Sequence, residues 1–351
     1  MFKTLDNYHY SFREIDGYPQ PFKYIIGPRE PGKTTMMWLK IYKAWLKDKR
    51  PWIYLVRNVV EINEIMISTI CELTINEFLD EEVRFTYNKA SFKDGIVDIY
   101  IGEERFFRIV ALSIKLMRIK KAALSKIKGV YMDEFIIDPR TGESYLKGEY
   151  FKLKEAYNTW RRQVPEGEVL QCYFTGNVYS LFNPYFVGEG VEPEKLYSGC
   201  FYVKNKCVIH WCQLHPKLKE KLLKENPLYQ FDDDYTKYAL EGLPKNDKNI
   251  KISKLKPNYS LRFVLRYDNM YIGIFYNPEA EDKYHCREVN EVSAKRTVYV
   301  FDFQDLIDRS ALMSIEGRIK MQKFKEAMGK HQVTFDNINI YYFMEDIYTQ
   351  L

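Results

Sequence analysis

The stretch FKYIIGPREPGKTTMMWLKIYKAWLKD, residues 22–48, constrains the fold more than any other part of the chain. Its first six residues are a short, mostly apolar run that predicts a buried strand. The last sixteen repeat apolar side chains through Met37, Leu39, Ile41, Trp45 and Leu46, the spacing of an amphipathic helix. Between the two runs, Gly27, Pro28, Arg29, Glu30, Pro31, Gly32, Lys33, Thr34 and Thr35 place a glycine, four variable residues, a second glycine, a lysine and hydroxyl residues. Strand, glycine loop and helix in that order is the context in which backbone N–H groups converge on phosphate oxygens.

Each residue type has a physical part in such a loop. The glycines allow the backbone to wrap a phosphate, and Lys33 adds a mobile positive charge. Thr34 offers its hydroxyl to Mg2+, while Pro28 and Pro31 stiffen the turn. The implied ligand is ATP with magnesium. Tyr10 and Phe12, just upstream, are the candidates to stack on the base.

A phosphate loop that hydrolyses needs carboxylates beside it. VYMDEF, residues 130–135, is an apolar strand ending in Asp133, positioned to orient the metal and its waters, and Glu134, positioned to align the attacking water. FTGN, residues 174–177, ends another strand and places Thr175 and Asn177 beside Asp133 in a parallel sheet, where they can sense the terminal phosphate. A guanidinium must offset the charge that builds up during transfer. Arg57 after YLV, and Arg161 or Arg162 in NTWRR, are the candidates.

Apolar runs alternate with helical stretches as far as residue 213, which predicts an α/β domain with a mainly parallel sheet. The run WIYLV falls between the two motifs in the chain and is expected to insert between their strands in the sheet. Residues 214–250, charged and broken by Pro227, Gly242 and Pro244, read as a helical linker. Residues 251–351 read as a small mixed α/β domain with a hairpin turning at Asp268 and Asn269.

In a chain of 351 residues, no run approaches the length of a membrane span, and the first residues lack a secretory pattern. The expected location is the cytoplasm, without a membrane partner. The net charge of +5 is compatible with a polyanion but does not identify one. Cys200, Cys207, Cys212, His210 and His215 share a short window, but they lack the close ligand pairs of a zinc site, so reduced thiols are expected. The basic run KLMRIKKAALSKIKG places Lys115, Arg118, Lys120 and Lys121 where they could touch phosphates without reading sequence; a solvated helix face is the alternative.

Taken in order, IIGPREPGKT, WIYLVR, the LSI at 112–114, YMDEF, NTWRR, TGN followed by NPYF, and FDNINI resemble the DNA-packaging ATPases of small tailed bacteriophages of the phi29 type. The resemblance implies an additional-strand, catalytic-glutamate P-loop ATPase that forms a ring, a pentamer, on the portal (connector) vertex of an empty prohead in the host cytoplasm. It further implies double-stranded DNA as substrate and a packaging RNA as partner. By the same resemblance Arg161 falls where a finger reaches the next subunit's ATP, and Arg57 lies in a phosphate-facing segment. The lysine that acts in trans in some relatives falls near Val60 here. The C-terminal domain is expected to resemble a ribonuclease-H-like nuclease that no longer cuts DNA, since Asp268 and Asp302 lack the converging partners that two-metal cleavage needs. A cellular DNA pump or helicase, a small-molecule kinase and a nonenzymatic adaptor remain alternatives to be separated by activity.

Overall fold

A computed structural model of the chain describes residues 8–138, 143–181, 183–231, 234–242, 251–267, 270–290, 292–293, 297–300, 310–313, 315–337, 340–341 and 343–344. The chain forms two compact units, Met1–Lys245 and Asn246–Leu351.

The first unit is built on nine strands. They are β1 (Phe22–Gly27), β2 (Trp52–Val56), β3 (Phe85–Tyr87), β4 (Ile96–Ile101), β5 (Glu104–Ala111), β6 (Gly129–Met132), β7 (Gln171–Asn177), β8 (Phe201–Lys204) and β9 (Cys207–Trp211). Their order in the sheet is β3-β4-β5-β2-β6-β7-β1-β9-β8. From β5 to β9 every neighbouring pair is parallel, and the two edges are closed by antiparallel pairs. Strands β1, β2 and β6 are buried along their whole length, as the crossover helices of a parallel sheet require.

The sheet order corrects one expectation. Strand β2 does not lie between the loop strand and the Asp133 strand; it sits on the far side of β6, and β7 occupies the place between β6 and β1. Neighbours in a parallel sheet are set by crossovers that can skip positions, so order along the chain does not give order in space. The contact of β2 with β6 depends on Gly129, where a Cβ would lie 2.3 Å from the Trp52 ring.

The helix Lys33–Asp48 packs its apolar stripe on this sheet. Trp38 meets Tyr54, Phe107 and Tyr131 at centroid distances of 4.9, 5.0 and 5.5 Å, so one side chain bridges β2, β5 and β6. A fully buried aromatic of this size contributes about 3 kcal/mol relative to exposure. The packing therefore pins the helix N-terminus, and with it Lys33, against the strand ends.

The boundary expected at 213 also moves. Tyr229, Tyr238, Ala239 and Leu240 are buried in the same core as β1 and β7. Residues 214–231 and 234–242 thus pack with the first unit, and the rest of the expected linker, 232–233 and 243–250, lies outside the described residues. The charged helix Pro216–Glu225, whose one buried residue is Leu218, masked the apolar tyrosines that follow it.

The second unit holds a seven-stranded mixed sheet: β10 (Lys251–Ile252), β11 (Ser260–Tyr267), β12 (Met270–Tyr276), β13 (Tyr284–Glu288), β14 (Val298–Val300), β15 (Ser310–Leu312) and β16 (Val333–Phe335). The order is β10-β16-β13-β12-β11-β14-β15, with β11, β12 and β13 antiparallel. The helix Ile315–Gly329 packs Met321 and Phe324 into its core. Asp268, Asn269 and Asp302 lie outside the described residues.

Candidate nucleotide-binding site

The loop after β1 turns through backbone that most residues avoid. Gly32 takes a left-handed φ of 74° as it caps the following helix, and Glu30 adopts the same φ without being a glycine. A non-glycine residue there costs about 1 kcal/mol and persists only where its surroundings hold it. They do so from residues 229–242. The Arg29 N–H donates to the Ala239 carbonyl at 2.8 Å, the Tyr229 hydroxyl donates to Glu30 Oε1 at 3.0 Å, and the Arg29 guanidinium lies 5.8 Å from the Tyr238 ring centroid. Arg29 also donates to the Tyr179 hydroxyl at 2.6 Å.

Lys33 is buried, 6% exposed, and its ammonium donates to the Pro28 carbonyl at 2.5 Å and to Asn177 Oδ1 at 3.2 Å. Burial pulls its pKa below the usual lysine range, while Cys212, Asp133 and Glu134 favour the charged form. The loop lysine, Asn177 and the two carboxylates therefore belong to one cluster.

Asp133 follows β6 directly. Thr175 Oγ1 donates to Asp133 Oδ1 at 2.5 Å, and since that hydrogen is used, the Tyr131 hydroxyl donates to Thr175 at 2.8 Å. Thr34, on the first turn of the loop helix, lies near the Tyr131 hydroxyl. A line of hydroxyls thus joins Tyr131 on β6 through Thr175 on β7 to Asp133, with Thr34 of the loop helix nearby. These are hard oxygen donors on facing elements, the type of ligand set that suits magnesium.

Glu134 adopts a left-handed φ of 46°, and its N–H donates to Asp133 Oδ1 at 3.0 Å. Solvent reaches the residue, yet the walls around its carboxyl and the adjacent Asp133 charge raise its pKa above the usual glutamate value. Strain and a raised carboxyl pKa at the head of a strand are features expected of a proton acceptor.

The arginines part company. Arg57 does not face the loop: its Nε lies 3.1 and 3.0 Å from the two carboxylate oxygens of Glu149, its Nη2 donates to the Phe135 carbonyl at 3.0 Å, and both side chains are buried. Desolvation of Glu149 demands a bound cation, so the guanidinium expected to face phosphate serves the interior instead. Arg161 and Arg162 are exposed on the turn that ends the helix Glu149–Trp160. Of the four basic residues proposed for DNA, Arg118 pairs with Asp94 at 3.4 Å and Lys120 with Glu155 at 2.5 Å, whereas Lys115 and Lys121 are exposed. Tyr10 and Phe12 are 7% and 6% exposed, within the core.

Sequence reasoning missed the residues that hold the loop. Tyr229, Tyr238 and Gly242 lay in the supposed linker, and their signal was the density of tyrosines between charged residues. Gly242 has a φ of 63°, and a Cβ there would lie 2.7 Å from the Pro28 nitrogen.

Known proteins share this architecture. A DNA packaging protein of Bacillus phage B103 is 24% identical over 323 residues, covering 91% of this chain and 94% of the relative. Among solved structures, the Phi-28 gp11 DNA packaging motor superposes with a TM-score of 0.61 at 17% identity and covers 98% of each chain. The bacteriophage Phi-29 viral genome packaging motor assembly gives 0.64 at 18% identity over 98% of this chain and 99% of that one. From residue 5 to residue 350 the chain matches the model of the podovirus DNA encapsidation proteins (Gp16), and it belongs to that family.

Proposed function

We propose that this encapsidation protein is an ATP-driven translocase that moves double-stranded DNA into a preformed prohead. The observation that carries the reading is the cluster of a buried Lys33 bonded to Asn177, beside an Asp133 held by Thr175 and Tyr131. A site that only stabilised a fold would not need a buried ammonium whose contacts are one carbonyl and one amide oxygen. Phosphate oxygens would replace both.

In the working site, the loop from Gly27 to Thr35 wraps the phosphates, the N–H groups of Gly32 to Thr35 at the helix start donate to them, and Lys33 turns from Pro28 and Asn177 toward them. Thr34 and Asp133 would hold Mg2+, which supplies charge neutralisation to the phosphates when bound. Thr175 keeps Asp133 in one orientation. Glu134 aligns the attacking water and accepts its proton, a role suited to its raised pKa. Asn177 couples the lysine to β7 and so reports on the terminal phosphate.

Arg161, exposed at a helix end, is placed to reach the nucleotide of a neighbouring copy, which supports a ring, proposed to be a pentamer. Lys115 and Lys121 offer phosphate contacts to the duplex; Arg118 and Lys120 first have to leave Asp94 and Glu155. The second unit is read as a vestigial nuclease-like domain that binds nucleic acid, a packaging RNA included, or the portal. A cavity of about 350 Å³ is lined by Lys251, Lys254, Lys256 and Asp282; Lys251 is paired with Asp282, which leaves Lys254 and Lys256 to support an anionic partner there. The site of action is the host cytoplasm, on the prohead. Neither the kinase nor the adaptor reading has an observation in its favour.

The test is direct: purified protein, portal-bearing proheads, linear duplex DNA and Mg-ATP, scored by protection of the DNA from DNase. Wild-type protein protects the DNA; Glu134→Gln binds ATP but leaves it digestible. Protection by the variant equal to wild type would remove the catalytic assignment, and no protection with either would remove the translocase reading.

A further inference from the structure

The sheet order sets the direction in which a nucleotide runs along the loop. Its terminal phosphate faces Asp133, Glu134 and Asn177, which belong to β6 and β7 on one flank of β1. The nucleoside at the other end of the triphosphate therefore extends toward the opposite flank, where β9 pairs with β1.

That flank carries aromatic side chains with no part in phosphate binding. The rings of Tyr8 and His215 lie 4.7 Å apart between centroids and 31° from parallel, and the Lys217 ammonium is 5.7 Å from the Tyr8 centroid. Both rings are tied to the loop or to β9. The Tyr10 N–H donates to the Pro31 carbonyl at 2.8 Å, and a Cβ on Gly32 would meet His9 Cδ2 at 2.8 Å, so residues 8–10 run against the end of the loop. His215 stands on the chain leaving β9, and its Nδ1 accepts from the Lys217 N–H at 3.3 Å, which holds the ring in place as a helix cap. Nearby in the chain, Tyr10 bonds His210 of β9, hydroxyl to Nδ1 at 2.8 Å. Tyr10 is thus committed to the core, whereas Tyr8 is half-buried and His215 exposed.

On the nucleotide-site reading above, we propose that the Tyr8–His215 pair receives the base of the bound nucleotide and favours a purine over a pyrimidine. A bicyclic ring covers more of the aromatic surface than a monocyclic one, so stacking strength rises from pyrimidine to purine. His215 fixes the orientation of Tyr8, and the Lys217 ammonium keeps the site attractive to the electron-rich face of a purine.

The experiment measures binding of ATP, CTP and inorganic triphosphate to the full chain in the presence of Mg2+. Tyr8→Ala weakens ATP binding about tenfold, weakens CTP binding less and leaves inorganic triphosphate unchanged. Retained triphosphate binding shows that the variant is folded and its loop intact. Tyr8→Trp restores ATP binding. The proposal is overturned if Tyr8→Ala binds ATP as wild type does, or if it loses ATP and inorganic triphosphate by the same factor. Wild-type protein that binds neither ATP nor triphosphate would overturn the nucleotide site itself, a separate failure that takes this one with it.

Discussion

Thr175 on β7 donates its hydroxyl to Asp133 at the end of β6, 2.5 Å away, and receives the hydroxyl of Tyr131. The bond crosses the strand pair that separates the phosphate loop from β2, so Asp133 cannot rotate without breaking it. Partners behind a metal ligand are worth about 10–100-fold in metal affinity. Thr175→Val keeps the shape and removes the hydroxyl. The magnesium concentration that half-saturates hydrolysis rises by that factor, while binding of ATP without metal stays near wild type. A titration of hydrolysis against Mg2+ decides it, and an unchanged midpoint would free Asp133 of any dependence on Thr175.

Arg57 and Glu149 form a buried ion pair in which the carboxylate is also hydrogen-bonded by Tyr185 at 2.6 Å and by the Leu146 N–H at 2.9 Å. Removing one partner leaves the other charged and enclosed, at a cost of about 3–5 kcal/mol. Arg57→Ala therefore lowers the melting temperature, and Glu149→Ala lowers it comparably. The double variant costs less than the sum, because neither charge is left alone. A role for Arg57 at phosphate predicts the reverse: lost hydrolysis with normal melting. Thermal unfolding of the three variants, followed by circular dichroism, separates the two.

Much of this site was legible because its signals are local. The glycines and Lys33 carry their chemistry in one loop, and YMDEF marks its strand end by composition. The helix Lys33–Asp48 and the strands around it follow from apolar spacing alone. Arg57 was read from its position after a strand, but its orientation depends on Glu149, ninety-two residues away, and only packing reveals that pairing. The order β6-β7-β1 was not legible for the same reason, since crossovers can skip neighbours. The antiparallel strands β3 to β5 leave only a faint local trace: Gly102 at a φ of 61° turns a tight hairpin between β4 and β5. Tyr229 and Tyr238 were hidden by the charges around them.

His210 sits under Tyr10, on the side of β1 away from the carboxylates. Burial lowers its pKa from 6.5 to about 4. Between those values the unfolded chain binds a proton that the folded chain refuses, so stability falls as pH drops from 6.5 toward 4 and is unaffected by this group above 6.5. After allowance for partial exposure the loss is about 2 kcal/mol. His210→Gln cannot titrate and flattens that part of the profile, while the carboxylates keep the steeper loss at lower pH. Urea unfolding at pH 7, 6, 5 and 4 measures both slopes, and equal slopes would show that His210 protonates without penalty.

The contact of residues 229–242 with the phosphate loop makes the strongest claim about turnover. Gly242 packs its α-carbon against Pro28 so closely that a methyl group would sit 2.7 Å from the Pro28 nitrogen and 2.9 Å from the Gly27 carbonyl carbon, at a φ of 63° that alanine resists. Backbone cannot yield as a side-chain tip can, so Gly242→Ala displaces the loop or the chain that crosses it, at about 1–3 kcal/mol. Tyr229→Phe is milder, for it removes only the hydroxyl that anchors Glu30 and leaves the ring buried. If this segment sets the loop geometry that ATP requires, Gly242→Ala raises KM for ATP about tenfold or more, and Tyr229→Phe raises it a few-fold. The rate at saturating ATP changes little in either variant, because Asp133 and Glu134 are held from β6 and β7 instead. A fall in kcat with KM unchanged would place the segment's influence on the carboxylates, and wild-type kinetics in both variants would reduce it to packing.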